Sequence, residues 1–135
     1  VATIDQIRAA IRTRLKTIPD LRVPDRVPDT IDPDAAVVRY AGTTFDTTMS
    51  RGSDDQTYII QMFTSKASDR GQDALYEYCE GSGERSVKAA FEADPTLDDL
   101  VMHADVTEVR EPGKAEPGGV DMYSAEIVVM VCVRP

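Results

Sequence analysis

The 135-residue chain is 41% hydrophobic and 29% charged, the composition of an ordinary globular domain of common single-domain length. Its formal net charge of −9 argues against a protein that coats the outside of a nucleic acid, where Lys and Arg must replace counterions on phosphates. No apolar run reaches the roughly 18 residues that a bilayer span needs, which predicts no membrane association. The first residues lack a signal-peptide pattern, and Cys79 and Cys132 stand among apolar residues without CxxC spacing, so reduced, buried thiols in a cytosolic protein are expected.

Ile4, Ile7, Ile11 and Leu15 recur at steps of three and four and predict one stripe of an amphipathic helix. Thr3 can cap its start and Pro19 ends it. Arg8, Arg12, Arg14 and Lys16 point mostly elsewhere. With Arg22 and Arg26 they outnumber Asp5, Asp20 and Asp25, so all of the acidic excess lies beyond Arg26. Two readings follow: a solvated basic helix on an acidic body, or opposite faces that meet between subunits, where charge complementarity fixes register. Arg8 and Arg12, as exposed charges of this helix, are expected to contribute little to stability.

Four prolines, at 19, 24, 28 and 33, make the next stretch a stiff connection in which Leu21–Val23 can form a short edge strand. Ala35–Tyr40 reads as a strand, and residues 41–56 as a long loop marked by Gly42 and Gly52. Thr57–Phe63 is apolar on nearly both faces and suits a central strand. A helix is predicted over Ser68–Cys79, stopped by Gly81 and Gly83, and a shorter one over Glu84–Ala93. The last third reads as a hairpin of Val101–Arg110 and Val120–Val133 joined by the tip EPGKAEPGG. In its return strand Tyr123, Ala125, Ile127, Val129, Val131 and Val133 share one face by the period of two. These elements predict one α+β domain over 1–135 in the order α-β-β-β-α-α-β-β. An antiparallel or mixed sheet of about four to five strands is packed by the first helix and the two central ones.

Chemistry-bearing groups do not converge in the sequence. His103 is the single histidine and falls within a predicted strand, without a nucleophile elbow elsewhere. The acids at Asp25, Asp29, Asp32 and Asp34, at Asp54-Asp55 and at Asp98-Asp99 lack the spacing of a calcium loop. GSG at 81–83 follows a helix instead of opening one, so it does not aim amides at a phosphate. No catalytic, metal or cofactor-binding residue is nominated, and no enzymatic activity is predicted. Surfaces remain. Phe45 and Met49 are apolar side chains in the polar 41–56 stretch, Arg51 stands between Ser50 and Gly52, and Lys114 lies on the hairpin tip. These four are the candidate interface residues. For Phe45 the alternative is that it folds back on its own domain.

In pattern and element order the chain resembles the tail terminator proteins of long-tailed phages, especially those of actinobacterial hosts. The resembling parts are TIDQIRAAIRTRLKTIPDLRV, VPDTIDPDAAVVRY, TYIIQMF with SDRGQDALYEYCEG, and YSAEIVVMVCV. The resemblance implies a virion protein of the tail or neck, made in the host cytoplasm. Six subunits would form a ring that caps the tail tube protein, halts tube growth and docks the tail to the head-tail connector. DNA would pass its lumen without specific binding, which acidic charge suits. Another neck or head-completion connector is the nearest alternative, and a small ligand-binding or enzymatic α+β domain the more distant one.

Overall fold

A computed structural model describes residues 3–18, 21–24, 34–45, 54–65, 69–115 and 122–133. The first helix, α1, spans Ile4–Leu15. Its start is a capping box: Thr3 Oγ1 accepts from the Gln6 N–H, and Gln6 Oε1 accepts from the Thr3 N–H, so two otherwise orphan donors are paired. Ile7, Ile11 and Leu15 are buried along one stripe, as their spacing predicts.

Strands β1 (Ala35–Thr44), β2 (Asp54–Ser65), β3 (His103–Ala115) and β4 (Met122–Val133) form one antiparallel sheet in the order β1-β2-β4-β3. Helices α2 (Asp69–Cys79) and α3 (Val87–Glu92) lie between β2 and β3 in sequence. The fold is therefore the predicted α+β class. All three helices serve one face of the sheet: α1 packs on β1, α2 on β2 and β4, and α3 on β3. That face supplies Ala36, Val38, Tyr58, Ile60, Met62, Ile127, Val129 and Val131 to the main core. On the opposite face Ala35, Val37, Phe63 and Met122 form a second, smaller apolar cluster. Buried Ile59 and Val128, paired across strands, lie on that face too.

Several boundaries move. The expected first strand is a single parallel bridge, Arg22 to Ala35. The expected 41–56 loop shrinks at both ends, because β1 runs on to Thr44 and β2 begins at Asp54. A bulge between Tyr40 and Gly42 allows this, with Gly42 at φ +154° taking a conformation that L side chains rarely adopt. Likewise EPGKA belongs to β3, not to the tip. A second irregularity between Arg110 and Gly113 absorbs Pro112 on an edge strand, where a missing donor is tolerated. The short helix begins three residues later than predicted, at Val87, because the Ser86 side chain accepts from the Ala89 N–H and caps it there. Leu97, Asp98 and Asp99 are consecutive residues at φ 50°, 59° and 62°. Asp94 accepts from the Asp98 N–H and Thr96 Oγ1 from the Asp99 N–H, which holds this left-handed turn at the entrance to β3.

Candidate interaction surface

The described arginines of α1 are not simply solvated. Arg12 donates from Nε to the Pro24 carbonyl (3.2 Å) and from Nη2 to the Val23 carbonyl (2.9 Å). Arg14 donates from Nε and Nη2 to the Ala90 carbonyl, an acceptor in the last turn of α3. One helix thus ties down both ends of the sheet, β1 through the Arg22 segment and β3 through α3. The expectation that Arg8 and Arg12 are exposed charges is corrected: Arg12 donates to two backbone carbonyls in part-buried bonds, and the Arg8 side chain is only 20% exposed.

Of the four candidate interface residues, Met49 and Arg51 lie outside the described residues. Lys114 is in β3 at the register position opposite Tyr123, not on the hairpin tip. Phe45 follows β1 directly and is 72% exposed, so it does not fold back into the core. Tyr40 on the same strand is 37% exposed; its ring meets Tyr58 edge-on at 5.7 Å, and its hydroxyl bonds Thr43 Oγ1 across the bulge. Two of the five exposed large hydrophobic residues among the described ones therefore sit on the outer half of β1 or directly after it. Sequence reasoning missed Tyr40. The run VVRYAGTTF, rich in β-branched and aromatic residues with Arg39 as its one charge, was the signal that an extended strand continued.

Titratable groups are spread across the molecule. His103 Nδ1 pairs with Asp105 Oδ2 at 2.8 Å on the helix-free face, both side chains more than half exposed. Cys132 lies opposite His103 in the ladder and, like Cys79, is only partly buried, not buried as expected. Among the described residues, no three His, Cys, Asp or Glu side chains converge where a metal ion could sit. Cys79 is half-buried, and burial, with Glu80 adding to it, pushes its thiol above the usual range. Burial likewise raises the Tyr58 phenol, with Tyr40 and Asp5 adding to it. The Tyr58 hydroxyl donates to Gln56 Oε1 at 2.6 Å.

A cavity of about 120 Å³ lies between α2, α3 and β3, lined by Tyr78, Cys79, Val87, Val106 and Ile127 among others. A groove of about 440 Å³ runs between α1 and the 94–100 turn, past Arg14, Asp94 and Asp98. Neither is lined by His103. Among the described residues, no helix is long and apolar enough to cross a membrane. No protein-family model matches the chain, and no curated protein matches it.

Proposed function

We propose that this protein is a ring-forming structural subunit of a phage tail, a terminator that caps the tail tube and presents a docking surface to the head-tail connector. The reading rests on the resemblance in element order. The observation that carries it is the 72% exposure of Phe45, a large apolar side chain held outside its own core at the end of β1. An anchor of this sort gains its stabilisation from a partner surface. Arg51 follows six residues later; its planar fork suits bidentate pairing with the carboxylates of an acidic neighbour. The net charge of −9 suits a lumen that DNA passes without adhering.

The test is assembly with purified tail tube protein, imaged by electron microscopy. Tubes capped at a defined end by rings of six support the terminator reading. Tubes that grow unchecked beside bound protein point to a different neck component, and no association with tubes overturns both. Phe45→Ala should weaken capping at low and high salt alike. Arg51→Glu should weaken it through like-charge contact that eases as salt screens it.

A further inference from the structure

The two edges of the sheet differ in how they end, and among the described residues the β1 edge is left open by a specific mechanism. The Arg22 N–H donates to the Asp34 carbonyl (3.0 Å), and the Ala36 N–H donates to the Arg22 carbonyl (2.9 Å). The backbone groups of Ala36 therefore point away from β2. The pleat repeats every two residues, so those of Val38 and Tyr40 point the same way. The bulge at Ala41 inserts one residue and moves the next outward position to Thr43.

A continued parallel strand would have Pro24 donate to the Ala36 carbonyl and accept from the Val38 N–H. Pro24 has no N–H, and its carbonyl is turned to Arg12 Nε. Within the described segment 21–24 the strand addition stops there. Among the described residues, no backbone bond beyond Arg22 reaches this edge.

We propose that the open edge, from Val38 to Thr43, pairs antiparallel with the same edge of a second copy about a two-fold axis through Tyr40. With the bulge counted, the outward positions are self-complementary. Tyr40 faces Tyr40 of the second copy, Val38 faces its Thr43, and Thr43 faces its Val38. Each such pair exchanges two backbone hydrogen bonds. Arg39 then lies opposite the Ala41–Gly42 bulge of the second copy, so the one charge of the segment meets no like charge. A register centred on Arg39 would place two guanidinium groups face to face, which is unfavourable. The Arg22 segment fills the slot beside Ala36 and ends the pairing, which fixes its length. The contact is isologous and closes at two copies, whereas a cyclic ring is built from unlike surfaces. It does not rest on the ring reading.

Light scattering of the full chain over a range of concentrations, with hydrogen exchange at each, tests this. A monomer–dimer equilibrium is expected in which the Val38, Tyr40 and Thr43 amides gain protection with concentration. The Val37 and Arg39 amides, bonded within the sheet, should be protected throughout. Tyr40→Lys should weaken the dimer at least about tenfold by placing two ammonium groups on the axis. Thr43→Pro, which removes an outward donor, should do the same, and Arg39→Gln should leave it unchanged. A monomer at every concentration overturns the proposal. So does a dimer that tolerates both Tyr40→Lys and Thr43→Pro. Loss of the dimer with Arg39→Gln overturns the register. A six-membered species with no two-fold pair at lower concentration overturns this pairing while favouring the ring.

Discussion

The edges formed by β1 and β3 face the same hazard, a row of unpaired donors and acceptors that invites another strand, and they meet it differently. The β3 edge is interrupted twice, between Val106 and Glu108 and between Arg110 and Gly113. It carries Pro112, a dense run of charges, and an Ala104 N–H already donated to the Pro95 carbonyl at 2.7 Å. The β1 edge has one irregularity and one charge between Val38 and Phe45. Among the described residues it is covered only at its start, by the Arg22 bridge, which Pro24 and Arg12 keep from going further. A sheet protected along one edge and open along part of the other has a direction in which it can associate. Of the three exposed aromatic residues among the described ones, Tyr40 lies on the open part and Phe45 just past it, while Tyr76 is on α2.

The largest effects should come from the helices that hold each edge. Ile11→Asp puts an unpaired charge into a fully buried site between α1 and β1, and should destabilise the protein by roughly 3 kcal/mol or more. Phe91→Ala, in α3 beneath β3, should cost about 3–5 kcal/mol. Hydrogen exchange separates them: the first should release β1 amides before β3 amides, and the second the reverse. Identical exchange patterns would mean that the two edges unfold as one unit.

Arg12→Ala removes two charge-assisted bonds that fix the cover of β1. A loss of about 1.5–3 kcal/mol is expected in denaturant melts. Lys88→Ala, which breaks an exposed i,i+4 pair with Glu92 on α3, should cost no more than about 1 kcal/mol. Equal losses would place Arg12 back among the surface charges.

The alkaline limb of stability is the next largest. Cys79 and Tyr58 both titrate above their ordinary ranges because burial favours their neutral forms. A raised acid pKa contributes stability that is complete below the unfolded value and is lost as pH rises through the folded one. Stability should therefore fall above the ordinary thiol range, and Cys79→Ala should flatten the first part of that fall. A Cys79→Ala curve parallel to that of the parent would show that the thiol does not contribute to it.

The smallest effect sharpens the comparison most. Pro24→Ala restores the donor that the Arg22 segment lacks. Little change in melting temperature is expected, since a single net hydrogen bond of about 1 kcal/mol is offset by the freer unfolded chain. The new amide at position 24 should nevertheless be protected from exchange. An unprotected amide there would show that Arg12, not the missing N–H, stops the strand.

Much of this fold could be read from sequence, for reasons visible in particular residues. The α1 stripe and the inward face of β4 carry strict periods of three to four and of two, because each buries a continuous line of side chains. The ends of the β1–β2 hairpin do not. Thr43, Thr44, Asp54 and Asp55 pair with partners yet bury little, so they look like loop. Pro112 suggested a turn because the tolerance of an edge bulge depends on which strand lies at the edge, and sequence does not order strands. The tethering role of Arg12 and Arg14 was invisible, since their acceptors are backbone carbonyls, which every residue has. Of the candidate surface, Phe45 was legible as an apolar residue in polar company. Tyr40 became visible only once β1 was known to extend past it.

The position of β4 has a consequence for synthesis of the chain. Residues 122–133 lie in the middle of the sheet, between β2 and β3, although they are made after its other three described strands. While a ribosome is still adding them, the edge of β2 that β4 will occupy is unpaired, and Tyr58, Ile60 and Met62 lack Val129, Ile127 and Ala125 beside them. The core therefore cannot close until translation has passed Val133. Chains stalled or cut short before that point should be bound by chaperones or lost to aggregation, however well their first 115 residues are encoded.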